Sequence, residues 1–135
     1  MDRILEQPGS RCLISHLSIV EMESVLAIET RTGEIHEQAL QIARRRFRAD
    51  IVRQRIPVVP PVHERHFHAA RRPLIQYGVA EGLRTLDALQ LAVALDLRQL
   101  GQVDVFVAAG QRLCRVASMA GCPAVNPEKP GPVLA

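Results

Sequence analysis

The sequence predicts an α/β domain in which a parallel sheet carries helices on its faces. Short apolar runs at 11–15, 103–108 and 123–125 alternate with longer segments of helical period, the pattern of strand–helix–strand units. Gly and Pro punctuate the handovers at Pro8-Gly9, Gly33, Pro57 and Gly110. At 135 residues the chain is one domain with room for a genuine core, predicted over 1–127, with 128–135 as a flexible C-terminal tail.

Element by element, Arg11–Ser15 (RCLIS) reads as a strand after a turn. From Ser18 to about Arg31, apolar residues at Ile19, Met22, Val25, Leu26 and Ile28 keep a helical period that Gly33 ends. A second helix, about 34–55, turns Ile35, Leu40, Ile42, Ala43, Phe47 and Ile51 inward and its arginines outward. Pro57–Pro61 is a brief extended piece, an edge strand because its prolines donate nothing to a ladder. His63–Tyr77 is helical, with Pro73 expected to kink or split it. Thr85–Leu100 carries the strongest pattern: Leu86, Leu89, Val93, Leu97 and Leu100 form one stripe, and Ala88, Leu91, Ala92 and Leu95 make a further side apolar. Such a helix is deeply buried. Val103–Ala108 is a strand, Gln111–Ala120 a helix and Pro123–Val125 a last strand.

Composition narrows the function classes. The chain is 47% hydrophobic but only 3% aromatic, so its core is aliphatic. No apolar run approaches the ~20 residues that cross a bilayer, and MDRILEQPGS is no signal peptide, so no membrane role and a cytoplasmic location are expected. Cys12, Cys114 and Cys122 stand in no ligand spacing and suit reduced thiols. The net charge of +3 is unevenly spread: between Gln41 and Arg72 nine arginines face only Asp50 and Glu64, a local +7. That stretch is either a solvated helix face or a surface for nucleic acid or another acidic partner. Its aromatics are only Phe47 and Phe67, too few for a stacking platform, so base stacking is not indicated.

Two carboxylates stand out by position. Glu21, three residues after Ser18, fits a capping box, and Asp87, two after Thr85, fits the acidic first turn of a capped helix; either could instead serve a site. The histidines of HERHFH lack a completing ligand and read as solvent-facing rather than zinc-binding. No Gly-rich phosphate loop and no nucleophile elbow occurs.

Three blocks, SHLSIVEMESVLAIETRTGEI, LRTLDALQLAVALDL and VDVFVAAGQRLCRVASMAGCPAVNP, resemble in their order the PIN domain family, of the kind found in VapC toxins. The resemblance runs from about Cys12 to Pro127. It implies an α/β/α sandwich around a parallel sheet, and an acidic pocket that binds Mg²⁺ or Mn²⁺ and hydrolyses RNA. It also implies an antitoxin partner and a homodimer. Glu21 and Asp87 match two of the family's acids and are the catalytic and metal-binding candidates; Arg44, Arg45, Arg48 and Arg53 are the RNA-binding candidates. Gly110 falls where the family's strand-end aspartate is expected, so that acid position is vacant. Asp104 lies six residues earlier, at the other end of the strand, and Gln111 has no charge. The family's first strand, ending in Asp followed by Thr or Ser, has no counterpart here. Its absence predicts direct pairing of RCLIS with VDVFVA, a strand borrowed from another chain, or a start codon assigned too late. With two acids of four, weakened activity is expected, the alternative being a non-catalytic binding module or decaying gene fragment in which Glu21 and Asp87 only cap helices.

Overall fold

The computed structural model describes residues 11–59 and 61–128. They form two compact units that divide between Pro61 and Val62. Residues 1–10 and 129–135 lie outside the described residues, and with them the place of the family's first strand and most of the predicted tail.

The first unit is a helical pair, α1 (His16–Arg31) and α2 (Glu37–Val52), which pack on each other. Each buries one leucine, Leu26 and Leu40. Val25, Ile28 and Ile42, predicted to face the core, are about half exposed. An ion pair crosses the helices: the Arg44 guanidinium donates from Nε to both Glu23 oxygens at 3.1 and 3.0 Å, and its Nη2 lies 2.9 Å from Oε2. The end of α2 is unusual. Gln54 takes a left-handed φ of 57°, Gln54 N–H donates to Ile51 O at 3.0 Å, and Arg55 N–H donates to Asp50 O at 2.9 Å. This is a Schellman ending in which a glutamine occupies the position glycine usually fills. The predicted strand at 11–15 reduces to one parallel bridge, Ile14 with Val58, made by Ile14 N–H to Pro57 O at 3.1 Å and Val59 N–H to Ile14 O at 2.9 Å. Pro57 has no N–H to extend it.

The second unit follows the order α3 (Glu64–Glu81), α4 (Thr85–Gln99), β1 (Phe106–Val107), α5 (Gln111–Met119), β2 (Ala124–Val125). β1 and β2 pair in parallel, Phe106 opposite Ala124 and Val107 opposite Val125. Among the described residues this is the whole sheet, so the architecture is mostly helical with a small parallel sheet, consistent with the α/β expectation. The predicted 103–108 strand is cut short because Asp104 O accepts from Arg98 Nη1 at 3.0 Å instead of from a neighbouring strand.

α3 and α4 share the most extensive packing in the unit. α3 runs unbroken through the buried Pro73, correcting the expected split. The carbonyl that Pro73 deprives of a donor belongs to Ala69, which is exposed and available to water. α3 ends at Gly82, whose φ of 69° suits a residue without Cβ. α4 buries Ala88, Leu89 and Leu91–Ala94, while Leu86 and Leu100, at the ends of the predicted stripe, are exposed. Alanines at 88, 92 and 94 let neighbouring backbone approach closely, and Leu91 has no exposed surface. α5 contributes the fully buried Val116 and Ala117.

Leu91→Ala should cost about 3 kcal/mol, the sum of lost transfer energy and an unfilled cavity. Denaturant titration would show the midpoint falling with little change in slope.

Candidate functional site

Both capping expectations need correction. The N-cap of α1 is Ser15, whose Oγ accepts from Ser18 N–H at 3.3 Å while Ser15 O accepts the same group at 3.0 Å. Ser18 is therefore already inside the helix, and Glu21 sits one turn further on, half-buried, rather than as the acid of a box at Ser18. The register moves by three residues because Ser15, itself buried, can take the extended cap geometry ahead of His16. In α4 the N-cap is Arg84, which makes no side-chain cap bond, and Thr85 is the first helical residue. Asp87 lies in that first turn, half-buried, and makes no hydrogen bond or ion pair with any described residue. The helix dipole favours its negative charge. Its oxygens remain available for an outside partner.

Gly110 is where β1 hands over to α5. It is the N-cap of that helix, exposed, with φ −85° and ψ 123°, ordinary extended values. A Cβ placed there would meet only Leu113 Cβ, at 3.9 Å. The position is thus sterically open to aspartate, a preferred N-cap residue. Beside it, Asn126 Nδ2 donates to Ala109 O at 2.7 Å, and Asn126 Oδ1 accepts from Glu128 N–H at 2.9 Å. Asn126 follows β2 directly, so an amide fastens the strand end next to Gly110; nothing in its sequence context marked it. Arg112 donates to Gly82 O at 3.3 Å and Arg115 to Glu81 Oε2 at 2.9 Å. These two bonds tie α5 to the segment leading into the Asp87 turn.

Glu21 and Asp87 belong to different units, each described by itself. Among the described residues no three His, Cys, Asp or Glu side chains are grouped to hold a metal ion. In kind, the two acids fit a hard divalent cation, which takes carboxylate oxygens and fills its remaining positions with water and phosphate oxygens. The cysteines offer no alternative nucleophile: burial pushes the Cys114 and Cys122 thiols up, and Cys114 Sγ donates to Ala108 O at 3.2 Å.

Of the predicted RNA-binding arginines, Arg44 is engaged by Glu23, as described above. Arg45 and Arg53 line an open cavity of about 470 Å³ together with Arg46, Ala49, Asp50 and Arg55. Arg48 is exposed on α2 but lines no part of it.

The HERHFH stretch holds a structural cluster rather than solvent-facing rings throughout. His66 is buried; its Nδ1 accepts from His63 N–H at 2.9 Å, and its Nε2 lies 2.8 Å from Asp96 Oδ2. An accepting Nδ1 fixes the neutral tautomer with the proton on Nε2, which then donates to Asp96. Arg65 Nη2 reaches the same oxygen at 2.9 Å. The signal in the sequence was a histidine at the third position of α3 and an acid, Asp96, in the later half of the largely apolar α4.

A family model for the PIN domain matches residues 1–118. No curated protein and no solved structure matches the chain. No helix among the described residues is long and apolar enough to cross a membrane.

The His66 hydrogen bond is the largest influence on Asp96; burial opposes it, and the Arg65 guanidinium adds to it, so the carboxyl is held below the usual carboxylate range. A carboxyl depressed in the fold stabilises it fully above its unfolded pKa of ~3.9, and that contribution fades as pH falls through the lower folded value. Asp96 is partly open to water, so the effect is below ~1 kcal/mol. Melting curves from neutral pH to pH ~3 should therefore show a smaller acid-side loss for Asp96→Asn than for the native chain.

Proposed function

The chain belongs to the PIN domain family, and from that membership we propose that it is a metal-dependent RNA nuclease of the VapC toxin type, weakened by the acid missing at position 110. PIN domains are usually nucleases, commonly bind RNA and typically use divalent metal ions. The observation that carries the reading is Asp87: a half-buried carboxylate with no described partner, at the start of the most deeply buried helix. The helix dipole favours its charge, yet no donor among the described residues occupies its oxygens, which leaves them open to a cation. Asp87 and Glu21 would hold Mg²⁺ or Mn²⁺ with phosphate oxygens of the substrate. The cation supplies an activated water and offsets charge developing on the phosphate. Asp87 provides a fixed anchor because α4 cannot shift without disturbing the core. Gly110 removes one negative oxygen donor, and the first-strand acid of the family has no match in the sequence. The toxin role carries with it a cytoplasmic location, a homodimer and an antitoxin partner that covers the acids.

The vacancy at Gly110 favours a second reading, a PIN-fold module that binds without cutting. One experiment separates them: Mg²⁺- or Mn²⁺-dependent cleavage of structured RNA by the native chain, Asp87→Asn, Glu21→Gln and Gly110→Asp. The nuclease reading expects weak native cleavage, a loss on the order of 100-fold in either acid variant, and a gain in Gly110→Asp. Because the added side chain meets only ordinary contact and supplies a good N-cap, Gly110→Asp should change stability by only a few tenths of a kcal/mol. Absence of cleavage by all four proteins would leave the binding module.

A further inference from the structure

We propose that the end of α2 is a base-blind cradle for the phosphate backbone of single-stranded RNA, formed by Arg45, Arg46, Arg53 and Arg55. It deepens the RNA reading above, yet it concerns binding and requires no catalysis.

The cradle is built locally. Arg45, Ala49 and Arg53 recur four residues apart on one side of the helix, Arg46 flanks them three residues before Ala49, and the left-handed Gln54 reverses the chain so that Arg55 returns beside Asp50, with Nε 2.9 Å from Oδ1. A glutamine at positive φ costs on the order of 1 kcal/mol, and the turn it makes brings a fourth guanidinium to the cavity wall. In the second unit four arginines are spent on acids or carbonyls: Arg65 on Asp96, Arg115 on Glu81, Arg98 on Gly121 and Asp104, Arg112 on Gly82. Arg45, Arg46 and Arg53 have no ion pair among the described residues, so the cavity carries a net +3 with Asp50 as its single acid. Helix-dipole complementarity accounts for cations in the last turn only and leaves Arg45 and Arg46, two turns earlier, unexplained.

The lining selects the occupant. Guanidinium forks match phosphate oxygens two at a time. From Arg45 to Arg53 the helix rises ~12 Å, enough to meet more than one phosphate. Apart from Ala49 the lining has no apolar residue, so it offers no hydrophobic pocket for peptide side chains and no aromatic platform for bases. An extended sugar–phosphate strand uses all of it.

The test is binding of labelled short homopolymeric RNAs in EDTA, by fluorescence anisotropy across a salt series. Each neutralised phosphate contributes ~0.7 to the slope of log affinity against log salt on a single strand. Replacing the four arginines with Ala should flatten that slope by roughly 2 to 3 and weaken low-salt binding at least ~10-fold, equally for oligo-U, oligo-A and oligo-C. Gln54→Pro keeps every charge but forbids the left-handed turn, and should also weaken binding. Arg71→Ala/Arg72→Ala removes charge from α3 and should leave the slope unchanged. An unchanged slope in the fourfold variant, equal effects of the α3 variant, native-like binding by Gln54→Pro, or tighter capture of a poly-glutamate peptide with the same arginine dependence would each overturn the cradle. Circular dichroism of every variant confirms that the helices persist. Because binding is read in EDTA, where metal-dependent cleavage cannot occur, loss of the cradle and loss of cleavage read out separately.

Discussion

The second unit depends on the burial of α4. A helix that is apolar on most of its circumference must be enclosed, and its alanines at 88, 92 and 94 set how closely neighbours come. α3 packs along it, and the His66–Asp96 bond pins the two helices where an ionisable group could otherwise have weakened the contact. Arg98, near the far end of the same helix, holds the backbone of Asp104 and Gly121 ahead of the two strands. At its start, α4 leaves Asp87 at a fixed place with free oxygens. Position, not an unusual environment, is what this carboxylate is given.

Much of this was legible in the sequence, because helical periodicity depends on local spacing. All five helices occur where the apolar pattern put them, and the break at Gly110 was visible as well. The cap registers were not, since both Ser15 and Ser18 are chemically able to cap and only the backbone angle at Ser15 decides. The exposure of Val25, Ile28 and Ile42 was hidden because periodicity gives a face but not what covers it. Strand lengths failed for a related reason: a run such as VDVFVA proposes a strand, while Arg98 and the prolines decide where ladder bonds stop. His66 looked like a surface histidine until Asp96 appeared opposite it, a relation between residues thirty apart in the chain.

Among the candidate residues, the acids and arginines divide the work differently from their sequence spacing. Arg44 looked equivalent to Arg45, yet one turns to Glu23 across the helical pair and the other to a cavity. Neighbours on a helix point about 100° apart, so adjacent identical residues meet different surroundings. Charge counts along the chain therefore located the basic region but could not say which arginines carry unspent charge.

The openness of the Gly110 backbone has a genetic consequence. Glycine and aspartate codons ending in a pyrimidine differ at the second base alone. With extended φ and ψ and only an ordinary contact, Leu113 Cβ at 3.9 Å, for a new Cβ to meet, the fold places no obstacle between the two residues. The acid at this strand end is thus a reversible character, one that selection could restore or remove in a single substitution without rebuilding the core around it.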